Sequence, residues 1–186
     1  LKFAHLQRYK SDSILIGRKT FNDDNPKLDS RIEGIKKKIK IFSINQQLKM
    51  NPQVLKNPYL RNSHIFHNCK DRERVRKLSK FFKLIRFDFN EDDVCRRILK
   101  IIHKLNCKKI LIEGGIHTLE SFLKAKLINE LYVVKNKHFF KKHGLLNARR
   151  FINSLKIKPN EIISLEENTI LKYKPRYVYR DNTKYR

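Results

Sequence analysis

Short apolar runs alternate with amphipathic stretches along this chain. Ser13-Ile14-Leu15-Ile16-Gly17 is a run of apolar residues ending at glycine, the pattern of a buried central strand. Lys40-Ile41-Phe42-Ser43-Ile44 and His64-Ile65-Phe66 read as further strands, and 81–87 as another short one. The polar stretch between them that holds Pro52 and Pro58 reads as loop. Val94, Ile98, Ile101, Ile102 and Leu105 then recur at helical spacing, with Glu91, Asp92 and Asp93 placing negative charge in the first turn. A strand over 108–112, a helix over 115–126 and a strand over 131–134 follow. Residues 162–165 and 170–179 suggest an antiparallel pair closing around Glu167-Asn168, and 1–8 reads as an amphipathic helix. Strands alternating with helices and ending in a hairpin predict an α/β fold, its sheet mostly parallel with an antiparallel edge.

Two strand ends carry candidate chemistry. At Glu113-Gly114-Gly115 a buried strand breaks at two glycines and enters a helix beginning Ile116-His117-Thr118-Leu119. Without Cβ atoms, Gly114 and Gly115 let a pyrophosphate approach the backbone, with the helix dipole behind it. Thr118 and Ser121 add hydroxyls on the first turns. Glu113, an ionisable group closing a buried strand, costs several kcal/mol unless paired or used. The second site, residues 17–31, also follows a strand, at the carboxyl end where open α/β sheets bind ligands. Thr20 and Asp24 lie four apart on one face of a short helix that Pro26 stops. A simple tight turn at the glycines and a solvated capping loop at 17–31 are the alternatives the spacing leaves open.

The motifs narrow the choice. Asp12-Ser13-Ile14-Leu15-Ile16-Gly17, Thr20 and Asp24-Asn25-Pro26-x-Leu28-x-x-Arg31 together resemble the signature of the riboflavin-biosynthesis reductase domain. Leu111-Ile112-Glu113-Gly114-Gly115, Leu119, Ser121-Phe122-Leu123 and Leu127-Ile128-Asn129-Glu130-Leu131 resemble its second motif, in the same order, so the similarity spans about residues 5–135. The family has a dihydrofolate-reductase-like fold: three layers, a mostly parallel central sheet, an antiparallel C-terminal hairpin and helices on both faces. The resemblance implies NADPH-dependent reduction of 5-amino-6-(5-phosphoribosylamino)uracil to its ribitylamino product. It places Thr20 and Asp24 on the nicotinamide side of the cofactor. It gives Glu113, Gly114, Gly115, Ile116, His117, Thr118 and Leu119 to cofactor binding, with Glu113 also at the reacting centre. Arg8, Leu28 and Arg31 match substrate-contacting positions, the arginines suiting a 5′-phosphate. Dihydrofolate reductase is the nearest rival, since Ile16-Gly17-Arg18-Lys19-Thr20-Phe21 is similar to its own segment. It lacks the D-N-P-x-L string and the Glu before the glycine pair.

Three departures stand out: Lys19 replaces a common glycine, Asp29 a common Thr, and Asn136-Lys137 a common Ala-Pro. The family's opening strand has no counterpart here, so residues 1–186 are expected to be a single reductase domain lacking its N-terminal strand. No H-x-E with P-C-x-x-C occurs, so no deaminase domain is expected in this chain, although one is often fused upstream in the family. The resemblance further implies a cytoplasmic homodimer acting on a small phosphorylated substrate.

Composition changes this picture in one respect. Lys and Arg outnumber Asp and Glu by 44 to 18, for a net charge of +26. Such a charge attracts any polyanion, and a basic nucleic-acid-binding protein is the rival from a different class. The basic residues are dispersed, however, and the densest run, Lys36-Lys37-Lys38 with Lys40, lacks the aromatic interleaving of a single-strand surface. Nucleic acid is therefore not the expected partner; the charge is expected to steer anionic ligands into one cleft. Cys69, Cys95 and Cys107 are too scattered for a metal or disulfide framework, and no run suits a membrane span, so neither metal nor membrane is expected.

Overall fold

The chain begins with α1 (Lys2–Tyr9), β1 (Ser13–Gly17) and α2 (Arg18–Asp23), followed by the antiparallel pair β2 (Ser30–Ile32) and β3 (Ile35–Lys37). A computed structural model describes residues 2–32, 35–136, 158–165 and 168–175. Next come β4 (Lys40–Ile44), α3 (Pro52–Lys56), β5 (His64–His67), α4 (Arg72–Leu78), β6 (Lys83–Arg86), α5 (Val94–Lys104), β7 (Ile110–Ile112) and α6 (Ile116–Lys124). Residues Leu1–Ser121 form one compact unit and Phe122–Arg186 a second.

In the first unit, β6-β5-β4-β1-β7 make a parallel sheet in that order. Side chains alternate across it, as the pleat requires. Ile14, Ile16, Ile41 and Ile65 share a core with Phe21 of α2, Val54 of α3 and Leu78 of α4. Burying each isoleucine fully contributes about 2 kcal/mol. On the opposite face Phe66 meets Phe87 edge-on at 5.7 Å, and Arg97 of α5 lies over the Phe87 ring at 4.8 Å. Helices thus cover both faces, and β1, flanked by β4 and β7, has Ile14, Leu15 and Ile16 wholly buried.

The second unit holds the three-stranded sheet β8-β10-β9, with β8 (Leu131–Asn136), β9 (Glu161–Leu165) and β10 (Asn168–Tyr173) antiparallel. The C-terminal hairpin therefore pairs with β8 in a sheet of its own instead of forming an edge of the parallel one. Glu167 and residues 176–179 of the expected hairpin lie outside the described residues.

Other expectations needed correction. Residues 52–56 are helical where a loop was expected, because Pro52 occupies the first turn, where its missing N–H costs nothing. Glu91, Asp92 and Asp93 precede α5 and do not form its first turn. From there Glu91 accepts from Arg97 at 2.9 Å, and Asp93, at φ 54°, makes no side-chain cap. Helix α4 and the β2–β3 pair lacked a periodic signal and were not anticipated. Only Val75 and Leu78 are apolar in α4, which starts where the Asp71 side chain accepts from the Arg74 N–H at 2.9 Å. The Lys37 ammonium donates to the Tyr9 and Ser11 carbonyls at 2.9 and 2.7 Å, satisfying groups left open at the end of α1.

Candidate active site

The sequence around β1 and β7 brings two chain ends side by side. Parallel pairing sets Leu15 beside Ile112, and the Glu113 N–H continues the ladder to the Leu15 carbonyl at 3.1 Å. Both strands then break at glycine. Gly114 and Gly115 take φ of 70° and 75°, which ordinary residues rarely adopt, and turn the chain into α6. A Cβ on Gly114 would stand 3.2 Å from the Thr20 hydroxyl, and one on Gly17 would stand 2.6 Å from Thr118 Oγ1. The glycines therefore let the start of α6 close on the end of β1, bringing Gly17, Thr20, Gly114, Gly115 and Thr118 together. The Leu119 N–H bonds to the Gly115 carbonyl at 3.1 Å, and none of the N–H groups of residues 114–118 has an acceptor among the described residues. Such donors at a helix start, behind two glycines, fit a phosphate group.

Glu113 is not left as an isolated charge. The Arg8 Nε donates to its Oε2 at 2.8 Å, and the Arg8 Nη2 closes a second contact on Oε1. Arg8 also donates from Nη1 to the Asp29 carbonyl at 3.0 Å, which ties α1 and the segment before β2 to the end of β7. With the two side chains only 14% and 29% exposed, the pair is partly shielded from water. The hydrogen bond to Glu113 raises the Arg8 pKa above its ordinary value, outweighing the opposing effect of burial.

The other expected site residues divide. Leu28 is buried at 4% exposure, with φ 49° and its side chain in the core, leaving only its backbone for a ligand. Asp24 caps α2 and its side chain is exposed, with no hydrogen bond or ion pair among the described residues. His117 points into solvent, 3.8 Å from Glu120, while Ile116 and Leu119 are half-buried. Lys19 is exposed in the first turn of α2. The Arg31 backbone belongs to β2, and its side chain, like Lys137, lies outside the described residues.

Buried asparagines that motif reading passed over shape the 22–28 segment. Asn22 donates to the Lys49 carbonyl at 2.7 Å and accepts from the Asn51 N–H at 3.5 Å. Asn57 donates to the Asn25 side chain at 2.8 Å and to the Pro26 carbonyl at 3.2 Å. The D-N-P string is thus held from α3, through contacts whose sequence separation hides them from any local pattern.

A parallel sheet with a diglycine turn and a helix start at its carboxyl edge defines an open α/β protein, with free N–H groups at the edge where such sheets bind ligands. The chain belongs to the RibD C-terminal domain family, whose model matches residues 1–178. It is 26% identical over 180 residues to the riboflavin biosynthesis protein RibD of Aquifex aeolicus, covering 93% of this chain and 49% of that protein. The chain thus spans about half the length of its curated relative. Two solved structures share its fold. One is the Thermotoga maritima diaminohydroxyphosphoribosylaminopyrimidine deaminase/5-amino-6-(5-phosphoribosylamino)uracil reductase, at TM-score 0.66 and 15% identity over 92% of this chain and 47% of that one. The other is the riboflavin biosynthesis reductase of Saccharomyces cerevisiae, at TM-score 0.65 and 14% identity over 92% and 78%. Among the described residues, no helix is long and apolar enough to cross a membrane.

Proposed function

We propose that this chain reduces 5-amino-6-(5-phosphoribosylamino)uracil to its ribitylamino product with NADPH, as a single reductase domain of riboflavin biosynthesis. The observation that carries the reading is the junction of β7, Glu113-Gly114-Gly115 and α6 against Gly17 and Thr20. The family match and the names of the relatives support the same reading.

The N–H groups of residues 114–118, with the Thr118 hydroxyl, hold the cofactor phosphates, and Thr20 and Asp24 orient its nicotinamide end. When bound, NADPH supplies the hydride that reduces C1′ of the ring-opened ribose. Glu113 stands beside that carbon and either relays a proton or orients the imine. Arg8 holds the Glu113 carboxylate in place through its two-point contact, and Arg31 takes the substrate phosphate alongside the Leu28 backbone. The same reading makes the protein a cytoplasmic homodimer, with deamination carried by a zinc deaminase domain fused upstream or by a separate protein.

The test is NADPH oxidation with the purified chain, offering the ribosylamino-uracil phosphate and dihydrofolate in parallel. Consumption with the first substrate alone is expected, with loss of turnover in Glu113→Gln. Consumption with dihydrofolate alone, or full turnover in the Gln variant, overturns the reading.

A further inference from the structure

The carboxyl edge of the parallel sheet also carries a basic concavity, two and three strands away from β1. Strands stand about 4.8 Å apart, which sets β5 roughly 10 Å and β6 roughly 14 Å across the sheet from the Gly17 strand. The groove lies between α4 and the ends of β5 and β6 and has a volume of about 680 Å³. Its charged lining comes from Lys70, Arg72, Arg76 and Arg86, and no carboxylate lines it.

The helix sequence explains the sorting. Arg72 and Arg76 are four apart and share a face of α4. Asp71 and Glu73 line the neighbouring groove with Arg74, which pairs with Asp71 at 3.2 Å. The acids of α4 are therefore turned away. Among the described residues, Lys70, Arg72, Arg76 and Arg86 form no ion pair.

An independent observation comes from His67. It lines the same groove, it is only 4% exposed, and its Nδ1 has no hydrogen-bond partner. Its register partner across β5 and β6 is Arg86, so both side chains face α4. Leaving a buried polar atom unmatched costs about 1–3 kcal/mol, and the protein's own contacts do not explain why an imidazole stands beside a guanidinium there.

We propose that this groove is a second anion site, for a small phosphate-bearing ligand other than the substrate and cofactor of the reduction. Guanidinium groups match phosphate oxygens two at a time, and Val75 and Leu84 supply the low-dielectric wall that focuses the field. The volume falls within the range of small-molecule pockets, about 300–1,000 Å³. A nucleic-acid track would need an extended groove with aromatic platforms, and the only ring in this lining is His67.

The probe is inorganic pyrophosphate, titrated calorimetrically into the full chain. The affinity is expected to fall at least tenfold in Arg76→Gln/Arg86→Gln, both exposed positions. It should change less than twofold in Arg96→Gln/Lys100→Gln, which removes the same charge from α5. The His67 ring resonances should move on pyrophosphate addition in the wild-type chain. Equal losses in the two double variants would reduce the effect to general charge and overturn the proposal. So would absence of binding, or displacement of pyrophosphate by NADPH, which would make the groove part of the cofactor cleft. A single-stranded oligonucleotide that needs Arg76 and Arg86 while pyrophosphate does not compete with it would overturn it in favour of nucleic acid.

Discussion

Arg8 reaches across 105 residues of sequence to close a two-point ion pair with Glu113. The pair joins the helix that opens the chain to the strand end that holds the acid, so the two residues act as one unit. Arg8→Gln leaves the Glu113 carboxylate half-buried and unpaired, at a cost of about 1–3 kcal/mol. Glu113→Gln strands Arg8 in the same way. The double variant is expected to be more stable than the sum of the two single losses allows, by roughly 1–2 kcal/mol, in a urea-denaturation cycle. Additive losses would show that the two charges do not depend on each other.

The same pair separates two roles for Arg8. If it served the substrate phosphate alone, Arg8→Gln would raise KM and spare kcat. Because its guanidinium is already engaged by Glu113 and the Asp29 carbonyl, kcat and kcat/KM are both expected to fall, tenfold or more. Steady-state kinetics on the proposed substrate decide between them.

The parts of this site that were legible from sequence are those written locally. Glycines after a strand, Thr20 in the helix that follows β1, and an acid closing an apolar run all depend on neighbours a few residues apart. The strands β1 and β4 were legible for the same reason, being short apolar runs with clear ends. The pairing of Arg8 with Glu113 depends on how α1 meets the end of β7, which no window of sequence contains. The resemblance makes Arg8 and Leu28 substrate-contacting positions; the structure adds that Arg8 is engaged by Glu113 and that the Leu28 side chain packs into the core. Helix α4 was missed because its stability comes from two apolar contacts and a cap, too little to make a periodic stripe.

Asp12 pins the chain just before β7. Its carboxylate accepts from the Lys109 and Lys108 N–H groups at 2.8 and 2.9 Å, and these bonds hold its pKa below the ordinary 3.8. A carboxyl with a depressed folded pKa adds stability that is present above the unfolded value and lost as pH falls through the folded one. Asp12→Ala is therefore expected to be less stable than the wild type at pH 7. The gap should close as pH drops below about 3.8. Urea denaturation at a series of pH values checks this, and a gap that stays constant with pH would rule the bonds out as its cause.

His64 stacks on Phe42 with ring centres 4.7 Å apart, and its buried Nδ1 has no partner. Burial, with help from Lys83, pushes its pKa below 6.5, so the folded chain holds it neutral. Below that value the unfolded chain takes up the proton first, and stability declines as pH falls towards the folded pKa. His64→Phe keeps a stacked ring and removes the unmatched nitrogen. It is expected to be more stable than the wild type at pH 5.5. It should also show a shallower decline between pH 7 and 5, the part due to His67, which burial shifts the same way, being retained. Thermal melts across that range measure both, and an unchanged slope would assign the decline to other groups.

Gly17 sets how closely α6 approaches β1, because a methyl group there would stand 2.6 Å from Thr118 Oγ1. Its backbone is ordinary, at φ −78°, so the need for glycine is one of space and not of conformation. Gly17→Ala should cost about 1–3 kcal/mol through overpacking and push the first turn of α6 outward. If that turn holds the cofactor phosphates, NADPH affinity falls tenfold or more in the same variant, read by fluorescence titration. Removing the obstacle in Gly17→Ala/Thr118→Ala should recover most of the lost stability. It should restore affinity only to the level of Thr118→Ala alone, since the hydroxyl is gone from both. Recovery of stability without any change in NADPH affinity across the four proteins would confine the Gly17–Thr118 contact to packing and move the phosphate site elsewhere.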